Sequence, residues 1–173
     1  EIIVCEGYMD VMALYQAGYK NSVASLGTAL TEKQVRLIDR YVKTIFLAYD
    51  SDRAGKEAAL RAIEMFSKVK AEIKVLNFGD AKDPDNYLKM YGKERFEALY
   101  REAESELDFR INLARDSSID QFGNLSINDF SDKVCNILSK LESQVMIELY
   151  AKKLAEEISV SYKTVLYDIA KRQ

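Results

Sequence analysis

Short apolar runs alternate with helical patterns over the first half of the chain. The β-branched and aromatic runs predict strands at residues 2–5, 22–26, 44–49 and 72–77. Apolar positions at helical spacing predict helices between them at 8–17, 31–41 and 53–68. This alternation is typical of βαβ units, so we predict an α/β fold with a mostly parallel sheet and flanking helices.

The second half of the chain has a different pattern. Beyond about residue 93 the strand signal disappears, and helical patterns follow at roughly 93–116, 127–141, 143–157 and 161–172. We therefore predict a sheet domain at 1–92 and a C-terminal helical bundle at 93–173. The pattern of residues 154–165 resembles a helix-turn-helix. Because the second helix offers few side chains that could contact bases, we favour a structural helical hairpin.

Local signals indicate where several helices begin and end. Gly18 predicts a helix C-cap, Thr31 with Gln34 predicts a capping box, and Pro84 predicts the first turn of a helix. An apolar stripe in the third helix predicts core positions at Ala58, Ala59, Ala62, Ile63 and Phe66.

Acidic residues follow three of the predicted strands. Glu6 comes after the first strand and Asp50 and Asp52 after the third. Asp83 and Asp85 follow the fourth strand by a short loop. The carboxyl ends of parallel strands meet at one edge of a sheet, where ligands bind. Because clustered carboxylates need cations or protons to neutralise them, we predict a site for Mg²⁺ or Mn²⁺, completed by water and substrate phosphate.

Helix capping is the competing interpretation of these acids. Asp52 can cap the third helix, and Asp83 or Asp85 can cap the next one. Capping uses one acid per helix, so it leaves Asp50, Glu6 and one acid of the second pair without a structural role. This surplus of carboxylates favours the metal site.

Asp10 and several basic or small residues lie close to the acids in sequence. Asp10 is in the first turn of the first helix, where the helix dipole favours an acid, so we predict for it a supporting role at the metal. Weaker candidates for contact with nucleotide phosphates are Arg53, Lys56, Lys82, Gly27 and Thr28. The three cations could equally offset the carboxylates when no metal is bound.

The composition excludes several classes of protein. The 173 residues carry a net charge of −3, so the chain as a whole lacks the basic excess that is typical of nucleic-acid binding. The sequence contains no histidine, which excludes most zinc sites and catalysis by Ser-His or Cys-His pairs. No Walker loop, dinucleotide-binding fingerprint or zinc ribbon is present. Cys5 and Cys135 fit buried thiols of a reducing compartment. No secretory or membrane-spanning segment is visible, so we predict a cytoplasmic protein without membrane contact.

Four strings of residues occur in a fixed order along the first 92 residues. They are EGYMD at 6–10, ASLGTALT at 24–31, YDSDRAGK at 49–56 and DPD at 83–85. Together they closely resemble the TOPRIM portion of bacterial DnaG-type primases, whose sheet is Rossmann-like. An acid after a strand followed by Asp-x-Asp is shared by all TOPRIM proteins, whereas the first two strings narrow the resemblance to primases. Ser51 stands where some members have Gly.

The resemblance implies a catalytic core that joins ribonucleoside triphosphates into a short RNA primer on single-stranded DNA during replication. It implies that Glu6, Asp50 and Asp52 are the catalytic metal-site residues. The acids implied to support that site are Asp10, Asp83 and Asp85. The cofactor implied is Mg²⁺ or Mn²⁺, with no zinc in this segment.

The resemblance also implies further regions in a longer protein. In the family, a zinc-binding domain and a basic half of the polymerase core precede the TOPRIM segment, and a domain that binds the replicative helicase follows. The chain begins in a strand without Met, so we expect a piece of such a protein that is inactive alone.

Two rival interpretations remain from the sequence. A stand-alone TOPRIM nuclease or topoisomerase-like module would cleave phosphodiesters, although Tyr8 and Tyr49 beside the acids fit packing as well as any nucleophilic role. A binding module without catalysis is less favoured, because a scaffold gains nothing from clustered like charges.

Overall fold

A computed structural model of the protein describes residues 1–26 and 30–173. They form two compact units, Glu1–Glu106 and Leu107–Gln173. The strands are β1 (Ile2–Cys5), β2 (Ser22–Ala24), β3 (Thr44–Ala48), β4 (Glu72–Val75) and β5 (Glu104–Ser105). The helices are α1 (Tyr8–Ala17), α2 (Glu32–Asp39), α3 (Arg53–Phe66), α4 (Pro84–Arg101), α5 (Glu106–Asp116), α6 (Ile127–Leu138), α7 (Gln144–Glu157) and α8 (Tyr162–Ala170).

The five strands form one sheet in the order β2-β1-β3-β4-β5. The first four strands are parallel, and β5 is antiparallel to β4. The register places Cys5 beside Ala48, so β1 and β3 end together at the same edge. The predicted α/β fold with a mostly parallel sheet is therefore confirmed. The candidate acids follow the carboxyl ends of β1 and β3 at this edge of the sheet.

The predicted ends of three strands were too late, and a fifth strand was missed. β3 ends at Ala48 rather than at residue 49, and β4 ends at Val75 rather than at residue 77. β2 ends at Ala24 rather than at residue 26, although the chain still donates from the N–H of Leu26 to the carbonyl of Glu6. β5 was missed because a strand of two residues is too short to show an alternation of apolar and polar positions.

The boundary between the units differs from the predicted boundary at residue 92. Gly92 interrupts α4, with φ at +77°. The chain beyond the kink still belongs to the sheet unit, because Phe96 is fully buried in its core and β5 pairs with β4. The compact units therefore divide after Glu106.

The three predicted capping signals are confirmed, although α2 ends at Asp39 rather than at residue 41 and α3 at Phe66 rather than at residue 68. Gly18 is the C-cap of α1 with φ at +104°, a conformation that favours glycine. Thr31 and Gln34 form a capping box on α2. Pro84 occupies the first turn of α4, directly after Asp83.

Each unit has its own apolar core. The sheet unit buries Ile3, Phe46, Phe78 and Phe96 together with Leu14 of α1. The stripe of α3 is also confirmed, since Ala59, Ala62, Ile63 and Phe66 are buried and Ala58 is half-buried.

The helical unit is held together by side chains from α5 to α8. Leu154, Val165 and Ile169 join α7 and α8 to the core of this unit, as expected for a structural hairpin. Cys5 and Cys135 are both buried free thiols, as predicted. None of the helices in the described residues is both long and apolar enough to cross a membrane.

Candidate metal centre

Glu6 and Asp50 meet at the end of the paired strands β1 and β3. The N–H of Asp50 donates a hydrogen bond of 3.2 Å to Oε1 of Glu6. Glu6 therefore has a structural contact, contrary to the expectation that capping would leave it without one. Burial raises the pKa of Glu6, and the nearby charges of Asp50 and Asp52 raise it further.

Asp52 is the N-cap of α3. Its Oδ1 accepts a hydrogen bond of 2.8 Å from the N–H of Gly55, so the capping interpretation of Asp52 is confirmed. Capping occupies one carboxylate oxygen and leaves the other for a cation. The role of cap and a role at a metal are therefore compatible in this residue.

Gly55 lets the first turn of α3 approach the backbone of Asp50. A Cβ atom added at Gly55 would lie 2.2 Å from the carbonyl oxygen of Asp50 and 2.8 Å from its Cβ. Asp50 occupies the space that a side chain at residue 55 would need, so the glycine allows Asp50 to take its position in the site.

Ser51 connects the loop after β3 to the loop before α4. Its N–H donates to the carbonyl of Lys82 at 2.8 Å, and its Oγ donates to the carbonyl of Ala81 at 2.8 Å. A glycine at this position could make only the first of these bonds. The serine therefore fixes the spacing between the two loops that carry the acids.

Asp83 and Asp85 have different roles at the start of α4. Asp83 is the N-cap, with Oδ1 accepting a hydrogen bond of 2.7 Å from the N–H of Asn86. Asp85 forms an ion pair with Lys89 one turn along the helix. Both members of the pair thus have a structural partner, which corrects the expectation that one of them would lack a role.

Asp10 belongs to the acid cluster rather than only to the first turn of α1. Its side chain is buried and accepts hydrogen bonds from the backbone N–H groups of Gly7 and Asp85. Burial raises the pKa of Asp10 to about 6, with further contributions from the charges of Asp83 and Asp50. The structure therefore brings Asp10 together with the acids of the other loops.

Asp50 lies among both acids and a cation. Burial raises its pKa; Lys82 opposes this shift, and the charges of Asp83 and Asp52 add to it. The ammonium nitrogen of Lys82 is 3.7 Å from Oδ2 of Asp50. Lys82 is thus placed in the site, and it offsets a carboxylate in the structure.

The other predicted phosphate ligands are placed differently. Arg53 forms an ion pair with Glu57, its neighbour along α3, at 2.9 Å. The backbone N–H of Lys56 bonds to the carbonyl of Asp52 at 2.9 Å, as expected in the first turn of a helix. Gly27 and Thr28 lie outside the described residues.

Two residues near the acids had no signal in the sequence. Asn86 accepts from the N–H of Lys82 at 3.1 Å, which orders the loop before α4. Arg61, farther along α3, lowers the pKa of Glu6 by its charge. A pattern of local motifs could not identify Arg61, because its relation to Glu6 joins residues that are far apart in the sequence.

The donor set fits a hard divalent cation. Within residues 1–26 and 30–173, no three acidic or thiol side chains already surround a common point as ligands of one ion. Mg²⁺ commonly binds through one or two carboxylates, water and substrate phosphates, so it does not require such a cage. Burial is the main cause of the raised pKa values of Glu6, Asp50 and Asp10, and neighbouring carboxylates add to it. A bound cation would favour the charged form of each acid.

The fold and the placement of the acids define a Toprim-type domain. The family model described as Toprim-like matches residues 3–88. This range contains all six candidate acids and the four parallel strands except for Ile2, the first residue of β1.

Known proteins narrow the assignment further. The chain is 36% identical over 174 residues to a DNA primase from Clostridium acetobutylicum, covering 97% of this chain and 28% of that protein. A DNA primase domain from Pseudomonas aeruginosa matches with a TM-score of 0.68 and 27% identity, covering 99% of this chain and 53% of that one. A DnaG primase catalytic domain bound to single-stranded DNA matches with a TM-score of 0.67 and 28% identity, covering 94% of this chain and 52% of that one.

The chain belongs to the bacterial DnaG primase family and corresponds to the Toprim-containing part of its catalytic core. It spans 28% of the length of the curated primase named above.

The raised pKa of Asp10 predicts how stability depends on pH when a chelator removes divalent ions. The folded state keeps a proton on Asp10 up to a pH of about 6, whereas the unfolded chain releases it near 4. Stability should therefore fall as the pH rises between these values, by up to about 3 kcal/mol from this group. Urea unfolding of Asp10→Asn should show a shallower fall, whereas Asp39→Asn on the exposed end of α2 should match the wild type. Identical profiles for Asp10→Asn and wild type would contradict the assignment.

Gly55→Ala should destabilise the protein, although this substitution usually stabilises a helix. The added methyl group would overlap the carbonyl of Asp50, so the first turn of α3 must shift, at a cost of about 1–3 kcal/mol. Urea unfolding measures this cost, and Ala54→Gly in the same turn reports the ordinary effect of helix propensity. A stabilising Gly55→Ala variant would show that the close approach does not constrain the site.

Proposed function

We propose that this chain provides the metal-binding part of a primase core that makes short RNA primers on single-stranded DNA during replication. The observation that carries the proposal is the convergence of Glu6, Asp50 and Asp52 at one sheet edge in a member of the primase family. Family membership favours synthesis over the cleavage expected of a stand-alone nuclease or a topoisomerase-like module.

The proposed chemistry is nucleotidyl transfer that depends on Mg²⁺ or Mn²⁺. Bound divalent ions would activate the primer 3′-hydroxyl, hold the incoming triphosphate and stabilise the leaving pyrophosphate. Glu6, Asp50 and Asp52 would hold these ions. Buried Asp10 and the acids at the start of α4 would support the site by fixing the surrounding loops.

The proposed partners are single-stranded DNA, ribonucleoside triphosphates and the growing RNA primer. The relative bound to single-stranded DNA supports the first of these. Lys56, Lys82 and Arg53 are proposed contacts for the triphosphate, together with Gly27 and Thr28. The net charge of −3 indicates that much of the phosphate contact comes from other parts of the primase. Contact with the replicative helicase through another domain and a cytoplasmic location remain part of this proposal.

Asparagine substitutions separate the role of cap from the role of metal ligand. Asn retains the ability to cap a helix but lacks the charge, so Asp52→Asn should keep its stability in chelator. Asp50→Asn should be equally stable or slightly more stable, because like-charge repulsion is relieved. Both variants should lose the stabilisation by Mg²⁺, which for wild type is about 2.7 kcal/mol at a hundredfold excess over the dissociation constant.

The same variants test primer synthesis in the complete primase that carries this segment. Asp50→Asn and Asp52→Asn should abolish it, and Asp85→Asn should reduce it less. Thermal melts with chelator or Mg²⁺ and priming rates provide the two measurements. Near wild-type priming by Asp50→Asn, or destabilisation by more than roughly 2 kcal/mol in chelator, would contradict its assignment as a ligand.

The 173 residues alone should not synthesise primers at the rate of a complete primase. Positioning of template and triphosphate supplies most of the catalysis in phosphoryl transfer, and the chain spans 28% of a curated relative. The measurement compares primer formation on single-stranded DNA by this chain and by a complete primase at equal concentrations. Equal rates would refute the expectation, whereas weak nucleotide binding by the chain would agree with it.

A further inference from the structure

Lys82 lies where the two loops that carry the acids meet. Its ammonium nitrogen is 3.7 Å from Oδ2 of Asp50. The lysine side chain is 67% exposed, whereas that of Asp50 is 22% exposed. The cation can therefore leave the site through solvent, while the carboxylate is held in place.

The backbone of Lys82 is fixed on both sides. Its carbonyl accepts a hydrogen bond of 2.8 Å from the N–H of Ser51, and its own N–H donates to Oδ1 of Asn86 at 3.1 Å. The preceding Ala81 is fully buried and accepts from Oγ of Ser51 at 2.8 Å. The lysine side chain thus begins from a constrained point beside Asp50.

Two other cations near the acids are paired along their own helices. Arg53 pairs with Glu57 on α3, and Lys89 pairs with Asp85 on α4, each over one helical turn. The pair of Lys82 with Asp50 instead joins two loops. It places a positive charge against a carboxylate that the proposed metal would use.

We propose that Lys82 is the resident counter-ion of Asp50 and that a divalent ion must displace its ammonium group in order to bind. The inference rests on the proposed function, because it requires a metal at Asp50. Lysine and metal need the same carboxylate, and their positive charges repel each other at short distance. The lysine therefore stabilises the site without metal and sets the concentration of metal at which the site fills.

Titration of the 173-residue chain with Mn²⁺, with free ion followed by electron paramagnetic resonance, tests this competition directly. Removing a partly exposed ion pair is expected to change affinity by a modest factor, so Lys82→Gln should bind Mn²⁺ roughly threefold to tenfold more tightly than wild type at low salt. Lys82→Met should behave in the same way, which keeps the test valid if one neutral variant folds poorly. Lys82→Arg, which keeps the charge, should stay within about twofold of wild type.

Lys68→Gln is the matched control for net charge. Lys68 is exposed just beyond the last residue of α3, and a helix of 14 residues spans about 21 Å. Its affinity for Mn²⁺ should therefore stay near that of wild type. Unchanged or weaker binding by folded Lys82→Gln and Lys82→Met, or equal tightening by Lys68→Gln, would overturn the inference.

The same titration distinguishes failure of the inference from failure of the proposed function. If wild type binds Mn²⁺ and Asp50→Asn does not, the metal site stands, and the Lys82 variants alone decide the competition. If wild type binds no Mn²⁺, or Asp50→Asn binds as tightly as wild type, the proposed metal site itself fails, and the inference fails with it.

Discussion

The parallel pairing of β1 with β3 is the constraint on which the site depends. Its register sets Cys5 beside Ala48, so Glu6 and Asp50 must leave the sheet close together despite their like charges. The hydrogen bond from the Asp50 N–H to Glu6 stabilises this arrangement locally, but the backbone pairing of buried strands imposes it. The fold therefore assembles a cluster of acids that the side chains alone would disperse.

The starts of three helices hold the acids that surround this pair. Asp52 caps α3, Asp83 caps α4, and Asp10 lies in the first turn of α1. The free N–H groups at a helix start carry partial positive charge, which favours an acid there. The helices therefore offset part of the repulsion within the cluster, and the contacts of Gly55 and Ser51 fix where the loops lie.

The sequence predicted the repeating elements and the acids because both follow local patterns. β1, α1 and the caps at Gly18 and Thr31 agree with the structure, since apolar period and capping residues act over a few positions. The short β5 and the division after Glu106 could not be predicted, because they depend on pairing and packing across the unit. The same limit applies to the ion pair of Lys82 with Asp50, which joins two separate loops.

Hydrogen bonding to the backbone limits how the acids can bind an ion. Glu6, Asp52 and Asp83 each use one carboxylate oxygen to accept a backbone N–H, so the other oxygen of each acid is the more available ligand. Ca²⁺ often takes both oxygens of a carboxylate and six to eight ligands in all, whereas Mg²⁺ takes six ligands and keeps several waters. A metal bound by single oxygens at this edge would therefore be selected for small size, and the selection would come from hydrogen bonds that stabilise the fold.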